Sequence, residues 1–406
     1  MKSRGWELMR GMGRNLAAVV LAAALIGAVV PLVADEHEIV WGASIPLTGI
    51  YAQAGELGSL GMGAYLGYLN ATGGINGRPV RLASHDSGSM PEQSLAVFKQ
   101  VMAEEEDVVA FYGDSTGFAL LSAPEVNDRY KVLMGGSSLA TVLADQDRFP
   151  YQFLTGPTYA EMVGMLLEYI AGQGGTDGAA PRVALFYSNL EFGRDPIPYA
   201  KERAAQLGIE IVAEIETQPA GIDVAPEVLK LRRAQPDYVI FHGYVATVWP
   251  EVMVQAAQTG VDAMFMGTFW AMEPLIIRQL GPLADRYMGV FPYRYYWEQE
   301  ESATLRLIAQ IAQSQQVEYV PTYALQAWFS GMILTEVIKR TMDAGLELTG
   351  DNLKATLDGI KDWDTGGLIG VPVTFRNNSI PVGRIYRGNS ATGRMDPVSD
   401  WIVLDD

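Results

Sequence analysis

The sequence contains no cysteine and only three histidines, His37, His85 and His242. Disulfide bonds are therefore excluded, as is an anchor attached through an N-terminal lipid-modified cysteine. A metal site is not expected, because the chain has few imidazoles, no thiols and no closely spaced carboxylates at the predicted strand ends. The chain also lacks G-x-G-x-x-G spacing and a Walker sequence, which argues against nucleotide binding. We expect neither a metal nor a cofactor.

Positive charge is scarce, because 29 Lys and Arg residues stand against 47 Asp and Glu residues, giving a net charge of −18. Nucleic acids and anionic lipid surfaces need a basic footprint, so the composition argues against both as partners. An acidic surface also keeps a concentrated exported protein soluble, without any specific cationic partner.

The first residues have the pattern of an export signal. Basic residues at positions 2, 4, 10 and 14 precede the apolar run "LAAVVLAAALIGAVVPLVA", which ends at Ala34. We interpret residues 1–34 as a signal peptide and place the rest of the chain in the periplasm. The run approaches the length that crosses a bilayer, so an uncleaved anchor remains an alternative.

From Ile39 onward, short β-rich runs alternate with amphipathic stretches, and a second series of the same kind begins near Tyr159. This order predicts an α/β protein with two doubly wound parallel sheets. Two long late helices have no strands between them and should return to pack on the first sheet. Three terminal strands are predicted, in "VPVTF", "GRIYR" and "DWIVL". A ligand should bind where the carboxyl ends of the parallel strands converge, between the two halves.

The stretch "GDSTG", residues 113–117, matches the G-x-S-x-G spacing of a hydrolase nucleophile elbow. A serine nucleophile needs a base, and His242 is the only histidine after Ser115. His242 ends a predicted strand of the second series, far from the loop after the last strands where a hydrolase keeps its histidine, and an "HGGG" oxyanion loop is missing. We therefore predict that the chain is not an enzyme. The same loop offers hydroxyl and amide groups to an anion, although Ser115 or Thr116 could simply cap the following helix.

Several stretches together resemble a known family. They are "PLTGIYAQAGELGSLGMGAYLGYLNATGGINGRPV", the following "HDSGSMPEQSLAVFKQVM" and the serine loop. In this order they resemble the type I periplasmic binding proteins, and more closely the branched-chain amino acid (Leu/Ile/Val) binding proteins of ABC importers. The resemblance runs from about Ile39 to Leu404.

The resemblance implies two lobes, joined by three crossovers, that close on a ligand without reacting with it. The first lobe would comprise residues 39–157 plus 292–371, and the second residues 158–291 plus 372–406. It also implies two partners besides the ligand, the permease and the ATPase of an importer.

The resemblance further implies which residues hold the ligand. Two loops would bind its carboxylate: Ser115, Thr116 and Gly117, and Ser137, Ser138 and Leu139. Amino-acid binders of the family carry acidic side chains that neutralise the ligand's ammonium, whereas this chain has Tyr159 and Phe269-Trp270 there. A buried ammonium without a carboxylate is costly, so we predict a small carboxylate with an aromatic or apolar body and no α-ammonium. Its walls would be the aromatic residues Tyr51, Tyr159, Phe192, Tyr244, Phe269 and Trp270.

Alternatives remain open at this stage. A register shift of two residues would bring Asp114 or Glu273 to the ammonium position and allow a branched-chain amino acid. An amide or urea ligand is also compatible with this kind of lobe. A membrane-anchored sensor with the same fold is the other functional class.

Overall fold

The computed structural model describes residues 38–174, 178–218, 223–244 and 248–404. The predicted signal peptide, residues 1–34, lies outside these ranges. Within them, no helix is both long enough and apolar enough to cross a membrane.

The first lobe is built on a parallel sheet of four strands in the order β2-β1-β3-β4. Its strands are β1 (Ile39–Ile45), β2 (Val80–Asp86), β3 (Val108–Gly113) and β4 (Leu133–Gly136). The helices between them are α1 (Ala52–Ala71), α2 (Pro91–Glu104) and α3 (Thr116–Leu121), followed by a π-helical turn, Glu125–Tyr130. Strand β1 reads as a nearly continuous apolar run because both of its faces are covered.

The second lobe repeats this pattern on a larger sheet in the order β11-β10-β9-β8-β7-β5-β6, where β10 is Val382–Asn389 and β11 is Arg394–Pro397. It begins with α4 (Tyr159–Gln173), which starts with a reciprocal capping box between Thr158 and Glu161. Its parallel strands are β5 (Arg182–Ser188), β6 (Glu210–Thr217), β7 (Tyr238–His242), β8 (Met264–Gly267) and β9 (Tyr287–Phe291). The intervening helices are α5 (Glu191–Arg194), α6 (Ile197–Gln206), α7 (Ala225–Ala234), α8 (Trp249–Gln258) and α9 (Leu275–Leu280).

The late helices are α10 (Ala303–Ser314), α11 (Thr322–Asp343) and α12 (Gly350–Asp358). Helix α11 packs against α1, which confirms for this helix the prediction that it returns to the first lobe. Its backbone comes so close that a Cβ added to Gly61 would lie 2.2 Å from the carbonyl oxygen of Ala324. The Tyr65 hydroxyl also donates a 2.7 Å hydrogen bond to Oγ1 of Thr335.

Three segments of the chain meet side by side where the lobes connect. The amide of Leu154 donates to the carbonyl of Asn378 at 2.7 Å, and the amide of Ile380 donates to the carbonyl of Gly156 at 3.2 Å. The hydroxyl of Tyr293 donates to the carbonyl of Thr155 at 2.6 Å. The connections are therefore tied to one another by hydrogen bonds.

The end of the chain differs from the predicted three strands. Residues 371–375 form no regular strand, because only Val373 pairs, through an isolated bridge to Trp363. The segment "GRIYR" lies in β10 (Val382–Asn389), which runs antiparallel to β9. The segment "DWIVL" supplies the short β12 (Ile402–Val403), and an unpredicted strand, β11 (Arg394–Pro397), pairs with β10.

Candidate functional site

A cavity of about 430 Å³ lies at the carboxyl ends of the first-lobe strands and is walled by residues of both lobes. Most residues predicted from the sequence line it: Tyr51, Ser115, Thr116, Gly117, Ser137, Tyr159, Phe192, Tyr244 and Trp270. The region between the two sheets, where the ligand site is predicted, thus contains a cavity of a size suited to a small molecule.

Ser115 is the N-cap of helix α3, and its Oγ accepts a 3.2 Å hydrogen bond from the amide of Phe118. The same serine lies on the cavity wall. Capping fixes the side chain in one position, so a hydroxyl hydrogen and the first amides of α3 can face a bound group. The hydroxyl of Ser137, on the neighbouring loop, donates to the carbonyl of Gly113 at 3.3 Å.

Three predicted residues lie behind the cavity wall. The Oγ of Ser138 hydrogen bonds with Oγ1 of Thr116 at 2.8 Å, so Ser138 supports a wall residue. The carbonyl of Leu139 accepts from the amide of Tyr159 at 2.9 Å, and its side chain is fully buried. Phe269 stacks on Phe291 with ring centroids 5.3 Å apart. These residues position the wall.

His242 is engaged away from Ser115. Its Nε2 donates to the carbonyl of Phe192 at 2.8 Å, and its Nδ1 lies 2.7 Å from Oγ1 of Thr268. Burial lowers the pKa of His242 to about 3, so the ring is neutral and Nδ1 accepts the Thr268 hydroxyl. Both ring nitrogens are occupied, so His242 has no nitrogen left to activate Ser115.

Aromatic rings form much of the wall and brace one another. Tyr51 and Tyr244 meet edge to face with centroids 5.9 Å apart, across the two lobes. Trp270 stacks on Tyr323 at 5.5 Å, and its indole N–H donates to the hydroxyl of Tyr159 at 3.0 Å. Such contacts hold flat apolar surfaces in fixed orientations around a ligand.

Asp114 also lines the cavity, and sequence reasoning placed it there only as an alternative. Its Oδ2 accepts a 2.9 Å hydrogen bond from Ser94, whereas Oδ1 is buried and has no partner among the described residues. Burial raises the pKa of Asp114, and the nearby hydroxyls of Ser87, Ser94 and Ser115 oppose that rise. Of these three hydroxyls, only that of Ser94 makes a hydrogen bond of normal geometry to the carboxylate. A buried carboxylate oxygen without a donor is costly, so this atom is suited to a ligand's hydrogen-bond donor.

Glu273, the other alternative, is engaged elsewhere. Its carboxylate accepts from the hydroxyl of Tyr319 and from the amide and hydroxyl of Thr322, the last two at 2.9 and 2.6 Å. It therefore anchors the start of α11, behind the cavity.

The charged residues on the wall are all acidic: Glu92, Asp114 and Glu191. None of the described wall residues is Lys, Arg or His. The cavity therefore has a negative potential, and an anionic group there must be held by hydroxyl and amide donors rather than by a cation. Across the described ranges, no group of three or more His, Asp or Glu side chains is arranged to hold a metal ion.

Several wall residues that were not predicted from the sequence lie on buried elements. Tyr112 precedes the serine loop on β3, while Tyr323, Gln326 and Ala327 come from α11. Strand alternation places Tyr112 on the sheet face that it shares with Ala43, its partner in register. That pattern was visible in the sequence, whereas the approach of α11 depends on tertiary packing.

Comparison with known proteins supports this reading of the fold. A family model described as "periplasmic binding protein" matches residues 38–390. The leucine-, isoleucine-, valine-, threonine- and alanine-binding protein of Pseudomonas aeruginosa is 22% identical over 318 residues, covering 76% of this chain and 80% of the relative.

Solved structures show the same fold. A branched-chain amino acid ABC transporter protein from Thermus thermophilus with bound valine superposes with a TM-score of 0.80 at 20% identity, over 90% of this chain and 97% of that one. A solute-binding protein of an ABC transporter from Rhodopseudomonas palustris, in complex with 3,4-dihydroxybenzoic acid, gives a TM-score of 0.74 at 20% identity, over 91% and 96%. The resemblance stated from the sequence is confirmed, and the chain belongs to the periplasmic binding protein family.

Proposed function

We propose that this chain is an exported receptor that captures a small carboxylate-bearing ligand with an aromatic or apolar body. The observation that carries the proposal is the cavity, whose wall combines the hydroxyl groups of Ser115 and Ser137 with aromatic rings from both lobes. A ligand that touches both lobes stabilises the closed arrangement over an open one.

The hydroxyl-rich loops are the natural place for the ligand's carboxylate. They follow the adjacent parallel strands β3 and β4, so they open at the same edge of the sheet. The aromatic residues Tyr51, Tyr159 and Trp270 then cover the ligand body, as expected for a mainly apolar pocket with few polar groups.

A second candidate ligand is an apolar amino acid, and Asp114 is the observation that favours it. The prediction of a ligand without an ammonium assumed that no acidic side chain reaches the cavity. Asp114 does reach it, with a buried and unpartnered Oδ1. An α-ammonium beside this oxygen would satisfy it and balance the negative wall.

Family membership supports the wider setting of the proposal. The signal peptide at residues 1–34 would direct the chain to the periplasm, and the receptor would deliver its ligand to a permease and an ATPase. The lobe boundaries would be residues 39–157 plus 292–371 and residues 158–291 plus 372–406. Sequencing the N-terminus of the exported protein would separate this receptor from an anchored sensor, since a sensor would keep residues 1–34.

Calorimetry with matched ligand pairs tests the proposed function. The pairs are leucine with 4-methylpentanoate and phenylalanine with 3-phenylpropanoate, which differ only in the ammonium group. We expect the ammonium-free acid of a pair to bind, and Asp114→Asn to leave its affinity within about threefold or improve it, because a repelling carboxylate is removed.

The second candidate gives the opposite pattern. The amino acid of a pair would bind, and Asp114→Asn would weaken it by about 100-fold or more, since a buried ammonium would lose its partner. Binding of neither member, by protein that is folded by circular dichroism, would overturn the proposed function in both forms.

A further inference from the structure

The cavity continues past the serine loops into the interior of the first lobe. One side of this extension is the inner face of the sheet, where Ala43 and Tyr112 are partners in register, with Leu82 on the next strand. The opposite side is formed by Met62 of α1 and Ala327 of α11. We call this extension the first-lobe channel, defined by Ala43, Gly58, Met62, Leu82 and Ala327.

The channel exists because the stripe of α1 that faces the sheet starts with small residues. Ala54, Gly55, Gly58 and Ser59 line the cavity at helical spacing. One turn further, the same stripe carries Met62 and then Leu66 and Leu69, which fill the space under the helix as a core-facing stripe usually does. Met62 lies eleven positions after Tyr51, which corresponds to a rise of roughly 16 Å along the helix.

The channel is connected to a polar entrance. Asp114, with its buried and unpartnered Oδ1, lines the same cavity as the channel residues, together with Ser115 and Ser137. Beyond this entrance the channel residues are apolar or glycine. A site with polar groups at one end and an apolar tube at the other suits an amphipathic molecule.

We propose that the first-lobe channel binds an extended apolar tail, so that the ligand is an elongated amphipathic carboxylate. The inference rests on the proposed function for the carboxylate end of the ligand. A compact side chain such as that of valine would leave the inner end of the channel, next to Met62 and Leu82, unfilled. Buried methylene groups would fill it, and each would improve affinity by about fourfold, which corresponds to ~0.8 kcal/mol.

A homologous ligand series tests the channel. Hexanoate, octanoate, decanoate and dodecanoate would be titrated by calorimetry, alongside the 2-amino acids of the same lengths. We expect affinity to rise by about fourfold for each added methylene until the chain reaches Met62, and then to level off. If the shortest members bind but affinity does not rise with length, the channel proposal is overturned and the proposed function stands. If no member of either series binds while phenylalanine or 3-phenylpropanoate does, the channel proposal is again overturned and the proposed function stands; if these also fail to bind, the proposed function itself fails.

A blocking variant and a matched control test whether the dependence of affinity on chain length arises in the channel. Gly58 lies on the cavity wall, and a Cβ added there meets no atom within 4 Å. We therefore expect the fold to accept Gly58→Leu and the leucine side chain to occupy space in the channel. Gly67 is exposed on the same helix with equally open space, so Gly67→Leu is the control. We expect Gly58→Leu to weaken decanoate by about 60-fold, the loss of three methylene increments, and to change hexanoate by less than about threefold.

The control variant, Gly67→Leu, should bind every acid of the series with the affinity of the wild type. A complementary variant, Met62→Ala, removes the end wall and should move the plateau to longer chains. Equal losses for hexanoate and decanoate in Gly58→Leu, or an unchanged plateau in a folded Met62→Ala protein, would contradict the channel.

Discussion

The side chain of Ser115 both caps a helix and lines the cavity. Its Oγ caps helix α3 by accepting from the amide of Phe118, and the same side chain lies on the cavity wall. The cap holds the serine in position before any ligand arrives, so little side-chain freedom is lost on binding. The structural and the ligand-binding interpretations of this serine are therefore compatible.

Replacing Ser115 by alanine should affect both stability and binding. Loss of the cap costs about 1 kcal/mol in the free energy of unfolding, and loss of a hydroxyl donor should weaken the ligand by about tenfold. Thr349→Ala is the matched control, because Thr349 caps α12 through the amide of Asn352, on a helix whose residues are not among those lining the cavity. Urea unfolding and calorimetry would check both quantities. If Ser115→Ala and Thr349→Ala bind the ligand with equal affinity, Ser115 does not contact the ligand.

Individual site residues could be predicted to different degrees. The serine loops were identifiable because they end adjacent parallel strands. Phe269 and Trp270 were indistinguishable in sequence, yet the 3-10 turn Phe269–Ala271 buries the first ring and leaves the second in the cavity wall. Asp114 could be read between Gly113 and Ser115, but its unpartnered oxygen depends on the placement of distant hydroxyls.

At the scale of elements, the contact between α1 and α11 depends on glycine. A Cβ at Gly61 would lie 2.2 Å from the carbonyl oxygen of Ala324, and one at Gly331 would lie 2.4 Å from the ring of Tyr65. The two helices can approach closely only because these positions carry no side chain. The contact also holds Ala327 and Gln326 over the cavity.

Alanine at two glycines of α1 should therefore have opposite effects. Gly61→Ala forces the helices apart and should lower the free energy of unfolding by about 1–3 kcal/mol. Gly67→Ala, at an exposed position with open space, should raise it by up to ~1 kcal/mol, since alanine favours the helix. Denaturant unfolding of both variants would measure this. Stabilisation by Gly61→Ala would show that the helices do not pack as closely as described.

The alternation of strands and helices was predictable because each parallel strand is an apolar run followed by an amphipathic helix. The chain end was harder to predict. Strand β11 (Arg394–Pro397) contains residues that rarely favour strands, and it forms because a tight turn returns the chain to β10. The segment "VPVTF" contains residues that favour strands. Among its five residues, however, only Val373 forms a β-bridge within the described part of the chain.

The whole molecule carries several carboxyl groups whose pKa values are raised by burial: Asp114, Glu161, Asp195, Glu273 and Glu298. A raised carboxyl pKa means that the folded state binds protons more readily than the unfolded state. The contribution of each such group to the free energy of unfolding is fully present below the carboxyl pKa of the unfolded chain, about 4. This contribution is lost as the pH rises through the pKa of the group in the folded state. Hydrogen-bonded groups such as Asp86 and Glu105 have lowered pKa values and act oppositely, losing stability only as the pH falls through their folded values.

We therefore expect the melting temperature to rise as the pH is lowered from 8 to about 6.5. Below that pH the unfolded state gains a proton on His242 that the buried ring, with a pKa of about 3, does not bind, so this histidine opposes any further rise. Relief of charge repulsion in a chain of net charge −18 acts in the same direction over the upper range. Scanning calorimetry at constant ionic strength would measure the curve. A melting temperature that falls as the pH is lowered from 8 to 6.5, above the range in which His242 contributes, would contradict the assignment of raised carboxyl pKa values.

The order in which the chain completes its two sheets has a consequence for its synthesis. The second sheet needs β10, residues 382–389, against β9, and the first lobe needs α11, residues 322–343, against α1, residues 52–71. Neither half can mature until nearly the whole polypeptide has left the ribosome, because its closing contacts join distant parts of the sequence. We infer that such a nascent chain would stay loosely structured for longer, which would favour passage in an unfolded state if residues 1–34 direct export as proposed.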